Sequence, residues 1–239
     1  MTELAAKAEL MRSLGRLVRG LSSLFWGLPL ALIVFGLISI QTLTASFPLN
    51  ALTEWIQSLK ILPPVAVTGF LFYALMQLGS FQPQERVWQT ALDRAKILAL
   101  INFGLSPFLY WWSRMPMVTF YALAVALLLV SGLIFVAALN RMLDRLAAML
   151  PDETLRHETK FFTSMNLHLL TSIVVLIVVF FVLIQFRTLP DFLTKILRIL
   201  DFARQWLLLF LVLLPVAMTM TLIWKIKEVI LASVFGPEH

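Results

Sequence analysis

The chain has 239 residues, 60% of them hydrophobic and 13% charged, with 19 Lys and Arg against 13 Asp and Glu. A soluble globular protein carries roughly 45–50% apolar and about 25% charged residues, so the charge present is too sparse to cover a water-facing surface, and a disordered chain would be polar and poor in aromatics. The absence of cysteine excludes disulfides, thiolate nucleophiles, iron–sulfur clusters and Cys-based zinc sites.

At 100° per residue, Leu4, Ala8, Met11, Leu14, Leu17, Val18 and Leu21 share one broad face, with Glu9, Arg12, Arg16 and Arg19 opposite. Residues 1–22 are expected to form a cytoplasmic interfacial helix, apolar side in the acyl boundary and Arg12, Arg16 and Arg19 on anionic lipid headgroups. A docking helix for a partner subunit would show the same pattern. Nucleic acid is not an expected partner, because the basic residues lie beside apolar runs.

Residues 23–235 read as an all-α transmembrane domain, followed by a short cytoplasmic tail, 236–239. A membrane-crossing helix needs about 20 predominantly apolar residues. Six runs qualify: Leu24–Ala45, Pro63–Ser80, Lys96–Trp112, Met117–Leu139, His168–Phe186 and Gln205–Trp224. Their continuous apolar character fits helices, since barrel strands alternate over roughly 10 residues. Pro29, Pro107 and Pro215 fall inside runs and predict local kinks. The first run is too long for a cleaved signal peptide and reads as a retained anchor.

Between the first and second runs, Asn50 is a candidate N-cap for an outer amphipathic helix carrying Leu52, Trp55, Ile56 and Leu59. Leu193, Ile196, Leu197 and Leu200 repeat that spacing between the fifth and sixth. The match fits an internal duplication, and equally fits two unrelated amphipathic helices of the same period. The loop 140–160 predicts a helix with apolar edge Leu143, Leu146, Ala147 and Leu150, ended by Pro151. Arg141, Asp144 and Arg145 lie beside that edge and are candidates for docking a partner subunit.

With six crossings, thirteen Lys and Arg fall on the side of the termini and six on the other. The positive-inside rule then puts both termini in the cytoplasm, in what reads as a bacterial inner membrane. Trp26, Trp88 and Trp224 at inner ends, with Trp55, Trp111, Trp112 and Trp206 at outer ends, match an aromatic belt.

An ionisable side chain at mid-membrane would mark function, and no run has Asp, Glu, Lys or Arg in its interior. Asn102 is the deepest amide and is expected to make an interhelical hydrogen bond. His157 and His168 are too far apart for the usual i, i+4 metal pair, so neither metal nor cofactor is expected. No nucleophilic triad or phosphate loop is present. Ala95 with Ala99, Ala122 with Ala126, Gly36 and Gly69 are candidate close-packing positions. These features suit a non-catalytic accessory or scaffold subunit in contact with other membrane subunits. In layout, though not in any residue motif, the chain resembles ABC export permeases. That resemblance implies a hydrophobic or lipid substrate and a separate ATPase docked on Gln84–Arg94 or Asn140–Leu150.

Overall fold

The computed structural model describes residues 2–43, 59–82, 84–150, 152–185 and 212–232, and α-helices are the only long elements among them. They are α1 (Thr2–Leu43), α2 (Leu62–Leu78), α3 (Arg86–Leu105), α4 (Pro107–Arg114), α5 (Thr119–Ala148), α6 (Glu153–Gln185) and α7 (212–232). Among the described residues, two stretches, Met11–Ser39 and Thr119–Ala148, are long and apolar enough to cross a membrane, and Leu62–Leu78 is a shorter apolar helix. Only 33% of the most apolar window of each long helix is buried inside the protein, whereas a soluble protein's core helix would be mostly covered.

The helices differ from the six expected runs for local reasons. The amphipathic stretch 1–22 and the first apolar run are not separate elements; from Thr2 to Leu43 they form one helix, with Pro29 inside it. The third run is divided. Pro107 has no N–H to continue the ladder, and α3 ends at Leu105 with Ser106 between it and α4. The fifth run reaches past Gln185 and the sixth begins before residue 212, so both lie partly outside the described residues. The outer helices expected after Asn50 and around 193–200 lie wholly outside them.

The extended N-terminus of α1 leads into a face that packs on α2. Leu17, Leu21 and Leu24 are fully buried there. Gly20 and Gly27, seven residues apart and thus on one face, make the approach close. A side chain at Gly20 would come within 3.0 Å of the Ala74 carbonyl oxygen, and one at Gly27 within 2.7 Å of Leu71 Cδ2. Of the small residues picked from sequence, Ala95 and Ala99 are buried and Gly69 abuts Phe103. Gly36 has no neighbour within 4 Å of a built Cβ, and Ala126 is exposed.

The α2–α3 turn is held by Trp88. Its ring is fully buried, its Nε1–H donates to the Phe81 carbonyl at 3.1 Å, and it meets the Phe81 ring edge-on. Trp88 is therefore a core residue and not part of an outward belt, because the turn supplies the acceptor its indole needs. Trp26 and Trp224 are largely exposed; Trp55 and Trp206 lie outside the described residues.

Helices α3, α4 and α5 form a hairpin through the turn at Met115–Val118, closed by Phe108 against Phe120 with ring centroids 5.7 Å apart. The cytoplasmic helix expected at 140–150 is the continuation of α5, and its apolar edge Leu143, Leu146 and Ala147 is fully buried. Asp152 then caps α6: its Oδ1 accepts from the Leu155 N–H at 3.1 Å and from the Thr154 hydroxyl. The Thr154 bond, followed by that of Leu155, holds the Asp152 carboxyl below its usual value.

Candidate functional site

All seven helices contribute to the wall of a partly open cavity of about 190 Å³. The wall is nearly all aliphatic and aromatic, including Leu28, Leu32, Phe35, Leu128 and Val216. Its polar exceptions are few. The Thr68 hydroxyl donates to the Pro64 carbonyl at 2.7 Å and lies 3.2 Å from Ser106 Oγ, which itself bonds the Phe103 carbonyl. Asn102 also reaches the wall, 7% exposed, and its Oδ1 has no hydrogen-bond partner. An unmade bond of this kind costs about 1–3 kcal/mol. This surface can hold an apolar molecule, and offers it no acid or base.

Asn102 was the amide expected to join two helices, but other side chains make those bonds. Asn140 on α5 donates from Nδ2 to Thr219 Oγ1 on α7 at 2.8 Å, and Asn166 on α6 donates to the same oxygen at 3.0 Å. The Thr219 hydroxyl in turn donates to the Pro215 carbonyl at 2.8 Å, and Asn166 Nδ2 also donates to that carbonyl at 3.0 Å. All three side chains are buried. This three-helix clamp is a structural device: amides and a hydroxyl, with no group that titrates near neutrality. In the sequence Asn140 and Asn166 lie just outside the fourth and fifth apolar runs and Thr219 lies inside the sixth, with no signal that they converge.

The third feature is a groove of about 910 Å³ between α3 and α5. Arg141, Asp144 and Arg145, picked from sequence, line it together with Arg94 from α3, and Ile97, Leu98 and Ile134 line it further along. Arg94, Arg141 and Arg145 are exposed, and none of the three has an ion-pair or hydrogen-bond partner among the described residues. The only ion pairs described are Asp93 with Lys96 at 3.1 Å and Glu158 with Lys225. Arg12, Arg16 and Arg19 lie elsewhere, exposed along α1.

His157 and His168 are exposed on α6, and no cluster of three or more metal-ligating side chains occurs among the described residues. Comparison with known protein families, with curated proteins and with solved structures finds no match to this chain.

Proposed function

We propose that this protein is a polytopic integral membrane protein, crossing a bacterial inner membrane six times with both termini cytoplasmic, and that it serves as a non-catalytic subunit of a larger membrane complex. The observation that carries the reading is the contrast between inside and outside. Every buried polar side chain among the described residues is Thr, Ser or Asn, so the interior offers packing and hydrogen bonds rather than proton transfer. Outside, the long apolar helices leave Leu123, Leu127, Ile134 and Val175 exposed, a surface suited to lipid or to neighbouring subunits.

Affinity purification in mild detergent, followed by mass spectrometry and a native mass measurement, tests the reading. Co-purifying membrane proteins in fixed ratio are expected. A chain that emerges alone and monomeric overturns it. A second reading, a permease subunit working with a separate ATPase on a hydrophobic or lipid substrate, draws support from the central apolar cavity. A co-purifying ATPase, or a homodimer enclosing a larger cavity, would favour that alternative.

A further inference from the structure

We infer that the α3–α5 groove is a binding site for a single anionic glycerophospholipid, with the headgroup phosphate held by Arg94, Arg141 and Arg145. The inference rests on the membrane placement proposed above, but not on the existence of a complex.

Three observations carry it. First, the α5 wall of the groove is graded in polarity along its length. Because α3 and α5 form a hairpin closed at the Phe108–Phe120 end, residues 87–98 run alongside residues 134–145 in opposite directions. On α5, Ile134, Ala137 and Ala138 therefore lie nearer the hairpin turn and Arg141, Asp144 and Arg145 farther from it. On α3, Arg94 sits about midway, level with Ala138, with Ile97 and Leu98 toward the turn and Val87, Thr90 and Ala91 away from it. That is the polarity of an amphiphile, apolar toward mid-membrane and cationic at the inner surface.

Second, the length fits. The eleven residues from Ile134 to Arg145 rise about 16 Å at 1.5 Å each. A leaflet's headgroup region is roughly 7 Å deep, which leaves about half the groove for the upper acyl chains.

Third, the charge is uncompensated. Three guanidiniums face one acid, Asp144, and none of the three is paired. Guanidinium presents a planar fork of donors suited to phosphate, and basic pockets between helices on the cytoplasmic side bind anionic headgroups. An acidic helix of a partner protein would satisfy the arginines but would gain little from the graded apolar half. A free phosphate would gain nothing from it.

Native mass spectrometry of the full chain, extracted in mild detergent and incubated with phosphatidylglycerol or phosphatidylcholine, tests the site. Wild type is expected to retain one phosphatidylglycerol per chain in preference to phosphatidylcholine, and soluble glycerophosphate is expected not to compete. Combining R94Q, R141Q and R145Q is expected to weaken retention about a hundredfold, at about 1 kcal/mol per basic residue near a membrane surface, and the matching Lys triple to retain most of it. Ala138→Phe, which narrows the groove without altering its net charge, is expected to weaken it as well. Equal retention of the two lipids, or undiminished phosphatidylglycerol on a folded Gln triple, overturns the site. Efficient competition by glycerophosphate overturns the lipid in favour of a free anion. An acidic protein crosslinked through Ile134 and Arg141 overturns it in favour of a protein partner. A chain that purifies alone yet holds phosphatidylglycerol would sink the complex and leave the lipid site standing.

Discussion

Asn140 and Thr219, 79 positions apart in sequence, share a 2.8 Å hydrogen bond between two helices with neither side chain accessible to solvent. The same hydroxyl oxygen accepts from Asn166, so one threonine ties α5 and α6 to α7. Beyond this clamp the buried contacts of α7 run through Leu222, Ile223 and Ile226, and on the exposed side Lys225 pairs with Glu158 of α6.

Replacing these amides separates the clamp from the other deep asparagine. Asn140→Leu or Asn166→Leu removes interhelical hydrogen bonds worth about 0.5–2 kcal/mol and is expected to lower the detergent-solubilised Tm by several degrees. The side-chain carbonyls of all three asparagines lack partners, but Asn102 makes none of these interhelical bonds, so Asn102→Leu is expected to leave Tm unchanged or raised. Equal losses at all three positions, measured by thermal unfolding, would contradict the assignment.

Glycine substitutions test the α1–α2 contact. Gly20→Ala puts a methyl group 3.0 Å from backbone oxygen of Ala74 and 3.1 Å from Leu78 Cγ, and overpacking of this kind costs about 1–3 kcal/mol. Gly36→Ala meets nothing within 4 Å and should stabilise the helix by up to about 1 kcal/mol through propensity. Thermal unfolding of the two variants should therefore move in opposite directions.

The cap of α6 predicts an acid-sensitive contribution to stability. The Asp152 carboxyl is held below its usual value by Thr154 and Leu155. Its contribution is thus present above the unfolded carboxylate value, near 3.9, and is lost as pH falls through the lower folded value. Asp152→Asn keeps an acceptor that does not titrate in this range, so its melting temperature should fall less steeply below about pH 4 than that of wild type. Parallel acid limbs in the two titrations would refute the cap's role.

Orientation is open to a charge test. Changing Arg12, Arg16 and Arg19 together to Glu reverses the bias that precedes the first crossing, and is expected to weaken insertion or invert the first hairpin. Reporter fusions after residue 43 would read this; an unchanged topology would count against cytoplasmic termini.

How far the sequence reached depended on the kind of residue. Apolar runs and their length are properties of contiguous chain, so the helical class and the apolar character of α1, α2 and α5 could be read directly. The buried edge Leu143, Leu146 and Ala147 followed from period alone. Helix ends were harder. No proline or cap separates residue 22 from 23, so an amphipathic stretch and an apolar run fused into α1, while Pro107 divided a run that hydropathy had joined.

Partnership was decided only in three dimensions. Asn102, Asn140 and Asn166 are chemically identical, and depth alone favoured the first. Which amide finds an acceptor depends on where α7 lies, and α7 brings Thr219 to Asn140 and Asn166 and leaves Asn102 facing apolar wall. Likewise Arg94 has no sequence relation to Arg141 and Arg145; the α3–α5 hairpin makes them one basic patch. Periodicity along a single helix specifies which face is apolar, but the identity of the face opposite is fixed by how the helices pack, and that packing decided both the clamp and the groove.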